Sequence, residues 1–268
     1  MRNGGVPMTH NIINQVRQNI PLIHHITNDV VMNFTANGLL AFGGSPIMAK
    51  EEKEAGAITE LTDGLLLNIG TIQQPEVAAM FSSGKTANDK GIPIVLDPVG
   101  VAASSFRAEA VQMILKQVQP TVIKGNAGEI AFLADVSWDT KGVDAVGNGN
   151  TEEIAYLVAK KYQTAVVVTG ETDVFVVDGN LFTNQTGHPL LTKITGAGCL
   201  LGSIMAACLS TDFSIEKQLL AALEFYGGAA AYAAAQPHTK GPGTFLPAFL
   251  DALSFNWETI KGDTSWTN

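Results

Sequence analysis

The chain is short of positive charge. Its 16 lysines and arginines stand against 25 aspartates and glutamates, for a formal net charge of −9, and the basic residues form no stripe. A nucleic-acid surface needs such a stripe, so DNA and RNA are excluded as partners. Long apolar runs are missing too. No segment approaches the roughly 18 uninterrupted apolar residues of a membrane span, and the alanine-rich stretch 229–235 is too short. The N-terminus shows no basic region followed by a long apolar stretch, so no secretory leader is expected. Cysteine is scarce, with only Cys199 and Cys208. On one helix their nine-residue spacing puts them about half a turn out of phase and about 13 Å apart along the axis, beyond the reach of a disulfide. Unpaired thiols and no leader point to the cytoplasm. Familiar phosphate signatures are absent as well. There is no Gly-x-x-x-x-Gly-Lys-Ser/Thr loop, and in the nearest approach to a dinucleotide fingerprint the third glycine, Gly202, falls one residue late. No His/Cys spacing suits zinc.

What the chain does have is an apolar fraction of 46% and an alternation of helical patterns with short apolar runs. Runs at 65–70, 92–97, 121–126 and 165–170 read as buried strands. Helical patterns at about 75–90, 104–118, 126–134 and 151–162 lie between or beside them. That rhythm predicts a mostly parallel central sheet with helices on both faces, in a single α/β domain over 1–268. The segment 174–183 breaks the rhythm as a hairpin with a Gly-Asn turn, adding antiparallel edge strands. The last third reads as helices at 196–210, 214–236 and about 245–257, with a frayed tail from 261 to 268.

The most informative segment is Thr195-Gly196-Ala197-Gly198-Cys199, followed by an apolar helical run. A glycine-rich turn opening a helix aims several backbone N–H groups at one point, where the helix dipole favours an anion such as phosphate. The same dipole would stabilise the anion of the Cys199 thiol. The bland alternative is a loop-to-helix junction with small residues for close packing. The strand ends favour a site: they carry Asp97-Pro98-Val99-Gly100, Lys124-Gly125-Asn126 and Thr169-Gly170, residues a core does not need. Parallel α/β sheets bind ligands at the carboxyl ends of their strands.

Taken together, these residues resemble the ribokinase-like superfamily of small-molecule kinases, and within it the hydroxyethylthiazole kinases. The resemblance runs over nearly the whole chain. It is carried by His24-His25-Ile26-Thr27-Asn28-Asp29-Val30-Val31-Met32-Asn33, then Gly43-Gly44-Ser45-Pro46-Ile47-Met48-Ala49 and Asn68-Ile69-Gly70-Thr71. The motifs at Asp97, Gly125-Asn126-Ala127-Gly128-Glu129-Ile130, Thr169-Gly170-Glu171-Thr172-Asp173, Gly196 and Gly241-Pro242-Gly243-Thr244-Phe245 follow in family order. The resemblance implies a ribokinase-like fold and transfer of the ATP γ-phosphoryl group to 4-methyl-5-(2-hydroxyethyl)thiazole, with Mg²⁺, in thiamine biosynthesis. It also implies a homotrimer holding the thiazole between subunits.

The resemblance assigns roles residue by residue. Gly196, Ala197 and Gly198 would offer backbone donors to the moving phosphoryl group, with Gly196 also touching substrate. Cys199 stands where the wider superfamily has an aspartate, and would act as a weak base or only orient the hydroxyl; otherwise it is a buried filler. Glu129 and Asp97 would serve Mg²⁺. Equally, Asn126 and Glu129 fit a helix capping box, and Asp97 fits a turn before Pro98. Lys124, where the resemblance implies arginine more often, would meet nucleotide phosphate as a point charge, or be a solvated strand-end lysine. Thr169, Gly170 and Asn126 would contact the nucleotide. Asn28 and Met48 would line the thiazole pocket, though position alone makes Met48 a core residue. His24 and His25 read as structural. Competing functions are a related kinase for hydroxymethylpyrimidine or a sugar-like alcohol, and a silent nucleotide- or thiazole-binding protein.

Overall fold

The computed structural model describes residues 8–138 and 150–262. Helix α1 (Met8–Asn19) leads into strand β1 (Leu22–Ile26), α2 (Met32–Phe42), β2 (Ser45–Ile47) and α3 (Glu52–Thr59). Next come β3 (Gly64–Asn68), α4 (Gln74–Lys90), β4 (Ile94–Asp97), α5 (Ser105–Gln117), β5 (Val122–Asn126), α6 (Ala127–Leu133), α7 (Thr151–Tyr162) and β6 (Ala165–Thr169). The hairpin β7 (Asp173–Val177) and β8 (Asn180–Asn184) follows. A 3₁₀ turn at Pro189–Lys193 then precedes α8 (Ala197–Leu209), α9 (Ile215–Ala235), α10 (Pro242–Leu253) and α11 (Trp257–Gly262).

The strands make one sheet in the order β2-β1-β3-β4-β5-β6-β7-β8. Pairing is parallel from β2 to β6 and antiparallel for β7 and β8. The expected α/β class, with a mostly parallel sheet and antiparallel edge strands, is what the chain forms. Side chains along a strand alternate between faces, and that period sorts the core into two layers. Leu66, Val95, Val122 and Val167 join one apolar cluster, with α1, α2, α8, α9, α10 and α11. Their neighbours Leu65, Leu67, Ile94, Leu96, Ile123, Val166 and Val168 join the other, with α3 to α7.

Several expectations need revision. No element was expected before residue 64, yet two strands and three helices lie there, with β1 between β2 and β3. The hairpin turns one residue early: Asp178 (φ 50°) and Gly179 (φ 75°) are its central pair, and Asn180 already opens β8. A two-residue turn with both φ positive matches the right-handed twist of the strands, and Asp-Gly supplies it. The single terminal helix is two, α10 and α11. Proline belongs at the first helical position, where its missing N–H costs nothing, so α10 begins at Pro242. Lys261 and Gly262 are helical rather than frayed; the rest of the expected frayed tail, 263–268, lies outside the described residues.

Helix α8 occupies the centre of the molecule. Every residue from Cys199 to Leu209 is buried, so this helix is apolar on all sides. It packs on β1, β3 and β4 and is covered by α2 and α9. That placement brings its N-terminus up to the carboxyl ends of the parallel strands.

Candidate active site

The chain runs from β1 outward to β2 and then back across to β3, so the strand order reverses at the β1/β3 boundary. A crevice opens at such a switch point, outside the strand ends. Asn28 follows β1 and Asn68 ends β3, and both are buried. Asn28 Nδ2 donates to Asn68 Oδ1 at 2.9 Å and lies 3.5 Å from Cys199 Sγ. Asn68 Nδ2 donates to Asp97 Oδ2 at 2.9 Å. Lys124 Nζ donates to the same oxygen at 3.1 Å and to Gly198 O at 3.0 Å. One polar chain therefore runs from Asn28 through the ends of β3, β4 and β5 to the first turn of α8.

That first turn is shaped by Gly196. Its φ of 91° lies in the left-handed region, and a Cβ there would come within 2.6 Å of Val31 Cγ1. Glycine alone satisfies both constraints. The first bond inside α8 runs from Leu200 N–H to Gly196 O at 2.9 Å. The N–H groups of Ala197, Gly198 and Cys199 precede it, at the positive end of the helix dipole. Tyr226 Oη donates to Ala197 O at 2.6 Å and so braces the turn from α9.

Charge concentrates beside this turn. Asp97 is fully buried and Lys124 is 4% exposed. Burial works against the Lys124 charge, but the neighbouring carboxyl groups, Asp97 first and then Glu129, act the other way and its pKa is raised. Burial pushes Asp97 above the ordinary carboxylate value, while Lys124 and Asn68 pull it back. Burial and the neighbouring Asp97 also push Glu129 up, against Lys124 and the backbone donors of Gly100 and Asn126. Glu129 Oε1 accepts from Gly100 N–H at 2.9 Å, and Oε2 accepts from Asn126 N–H at 2.8 Å. Asn126 Oδ1 accepts from Glu129 N–H at 2.9 Å, completing a capping box. Asp97 Oδ1 is buried with no hydrogen-bond partner among the described residues.

A family model described as the Hydroxyethylthiazole kinase family matches residues 13–257. The chain is 57% identical over 247 residues to Hydroxyethylthiazole kinase 1 of Oceanobacillus iheyensis, covering 92% of this chain and 96% of that one. The chain belongs to the hydroxyethylthiazole kinase family. A solved hydroxyethylthiazole kinase from Pyrococcus horikoshii superposes with a TM-score of 0.85 at 35% identity, covering 96% of each chain. A ribokinase-like superfamily protein from Enterococcus faecalis shares the fold alone, with a TM-score of 0.64 at 12% identity over 91% of this chain and 93% of that one.

Within this kinase fold, the structure brings Asn28, Asp97, Lys124, Gly196, Ala197, Gly198, Cys199 and Glu129 around the crevice. Thr169 pairs in register with Asn126 at the next strand end. Met48 sits half-buried just past the carboxyl end of β2, beside β1, and is not the fully buried core residue its local sequence suggested. Three readings change. Lys124 is no solvated strand-end lysine, because Asp97 and Gly198 take two of its three donors. The Gly170 N–H goes to Asp173 Oδ1 at 3.1 Å, so it is occupied within the protein. Around Cys199 the surroundings oppose the thiolate that a helix start would favour: burial first, then Asp97, push its pKa up against Lys124, Asn68 and Asn28. The thiol is therefore protonated at neutral pH.

Both histidines are buried and paired. His24 bridges Thr59 Oγ1 and Ala49 O, and His25 meets Ser203 Oγ at 2.7 Å. Burial lowers His25 to about 4, so it is neutral at pH 7. Sequence reasoning gave no role to Asn68, Asp173 or Tyr226. The available signal for Asn68 was a polar residue at the end of an apolar strand.

Two outcomes follow from these electrostatics. Lys124→Met takes the counter-charge from buried Asp97 and leaves it only the Asn68 donor, which costs about 3–5 kcal/mol of stability; adding Asp97→Asn recovers part of that loss in urea unfolding. Burial pushes Asp173 up to about 6, against donors from Asn184 and Gly170 and the field of Lys124. A carboxyl whose folded pKa is raised favours the folded state most when protonated. Its contribution is fully present below its ordinary 3.8 and is lost as pH rises through about 6. Asp173→Asn flattens that decline, as the difference in urea midpoint between pH 4 and pH 8 will show.

Proposed function

We propose that this chain transfers the γ-phosphoryl group of ATP to the primary alcohol of 4-methyl-5-(2-hydroxyethyl)thiazole, in thiamine biosynthesis. The observation that carries the reading is the buried polar chain from Asn28 to the α8 turn, in a chain of the hydroxyethylthiazole kinase family. The alcohol oxygen attacks Pγ, the bond from Pγ to the bridging oxygen of ADP breaks, and the alcohol proton is released. Such transfers pass through a loose transition state, so the protein chiefly positions groups and offsets charge.

The N–H groups of Ala197, Gly198 and Cys199 receive the equatorial oxygens of the moving group. Asn28, Met48 and Gly196 border the alcohol. The end of β6 at Thr169 and Gly170, with Asn126 beside it, faces the nucleotide. Lys124 holds the α8 turn against Asp97 and adds positive charge behind the phosphates. Cys199 stays protonated, so it orients the hydroxyl instead of withdrawing its proton, and loss of that proton comes late, to solvent or to the phosphoryl oxygens.

The residues suit Mg²⁺. Asp97 offers a buried carboxylate oxygen without a donor, and Glu129 is the second carboxylate beside it. Among the described residues no cluster of three His, Cys, Asp or Glu forms a metal cage, which fits an ion that keeps several waters and leans on substrate phosphates. Held by Asp97 and Glu129, the ion would supply positive charge that offsets the negative charge of the phosphates.

The working unit we propose is a single domain over 1–268, assembled as a cytoplasmic homotrimer with thiazole held between subunits. Among the described residues no helix is long and apolar enough to cross a membrane. Val30, two residues from Asn28, is 69% exposed, an apolar side chain that a neighbouring subunit would cover. Light scattering on the purified protein checks the assembly: a mass of about 28 kDa, that of one 28.2 kDa chain, would remove the trimer.

ADP release with Mg·ATP and the thiazole, beside hydroxymethylpyrimidine and ribose, tests the reaction. Turnover with the thiazole alone is expected. Turnover only with another alcohol would redirect the substrate assignment, and silence with all three would favour a binding protein, the reading that a protonated thiol at position 199 keeps open. Cys199→Ala removes one positioning contact and lowers kcat roughly 3- to 10-fold; an unchanged kcat would strip Cys199 of its role.

A further inference from the structure

We propose that Asn68 is a positioning residue for phosphoryl transfer: it locks the alcohol side of the site, at Asn28, to the carboxylate side, at Asp97. The inference rests on the roles given above to those two residues.

Asn68 is 1% exposed and is the Cα register partner of Asp97 at the carboxyl ends of β3 and β4. Its carboxamide oxygen accepts from Asn28 Nδ2 at 2.9 Å and from Gly70 N–H at 3.0 Å, and its nitrogen donates to Asp97 Oδ2 at 2.9 Å. The amide has only one workable orientation. A backbone N–H can only donate and the ionised Asp97 can only accept, so reversing the amide would break both bonds. The loop after β3 enforces the fit. A Cβ on Gly70 would approach Asn28 Nδ2 to 2.8 Å and its Cβ and Cγ to 2.9 Å, so Gly70 closes directly onto the Asn28 side chain.

The consequence for Asp97 is geometric. Asn68 and Lys124 both engage Oδ2, and Oδ1 is left without a donor. Asn68 thus helps decide which carboxylate oxygen is available to a cation, while the same amide fixes the Asn28 nitrogen that lies beside Cys199. No other residue of this size does both. Aspartate keeps the acceptor for Asn28 and Gly70 but cannot donate to Asp97. Serine is too short to span the two.

The test uses the full-length chain with Asn68→Asp and Asn68→Ser, reading ADP release, the Mg²⁺ half-saturation point, the thiazole KM and thermal unfolding. Asn68→Asp is expected to lower kcat by at least about tenfold and to shift the Mg²⁺ half-saturation point, with thiazole KM changing less than about threefold. Asn68→Ser is expected to lower kcat and to raise thiazole KM as well. A residue that only supports the fold would lower the melting temperature and leave kcat and the Mg²⁺ point of the folded fraction unchanged. That result in both variants overturns the proposal; if Asn68→Asp does not fold, Asn68→Ser decides it alone. Asp97→Asn separates the two levels of inference. If it abolishes turnover while the Asn68 variants behave as wild type, only the role of Asn68 fails. If Asp97→Asn remains fully active, the assignment of Asp97 fails and this inference with it.

Discussion

The architecture of the site depends on one buried ion pair. Taking Lys124 and Asp97 out of water is costly, and their attraction offsets that cost only with good geometry and further hydrogen bonds. Here the geometry comes from the sheet. Asp97 closes β4, Lys124 lies on the adjacent β5, and α8 delivers Gly198 O as a second acceptor for the ammonium. Asn68 adds a donor to the carboxylate from the other side. Four elements distant in sequence are thereby fixed to one another at the place where the helix start meets the strand ends.

The pair also explains why the thiol is quiet. Burial first, and Asp97 after it, oppose a second anion at Cys199, and the nearby ammonium and amides do not reverse them. A helix start, a nearby cation or a metal can lower a cysteine pKa, but apolar burial works against it. Here the nearest positive charge is already committed to a carboxylate. Under the proposed reaction that leaves placement and backbone dipoles as the means of catalysis, which suits a transition state that gains little from a strong base.

Much of this was legible in the amino-acid order, and the misses have physical causes. The strands from β3 to β6 were visible because runs such as Val166-Val167-Val168 are apolar on both faces, as a covered parallel sheet requires. The α8 turn was visible because two glycines before an apolar run have few other uses. Strand β1 stayed hidden because His24 and His25 interrupt its apolar pattern; each is buried by a specific partner, Thr59, Ala49 or Ser203, that only the tertiary structure supplies. Lys124 looked like a surface or ligand-facing charge because the carboxylate that neutralises it lies 27 positions away. At Asn126 and Glu129 the capping box forms as its spacing predicts, while the same carboxylate sits in the field of Asp97 and Lys124, which local spacing could not reveal.

The central position of α8 has a consequence for how the molecule comes into being. The face of β1, β3 and β4 that it covers belongs to residues 22–97, whereas α8 begins about a hundred residues later, at Ala197. During synthesis those strands emerge long before the helix that shields them. Their pairings are parallel and non-local, a topology that closes slowly. The nascent N-terminal half therefore has α1 and α2 on that face but still lacks α8 and α9, the helices that complete its cover. The first turn of α8, and the acceptor it offers to Lys124, can therefore meet the strand ends only after most of the sheet has been made.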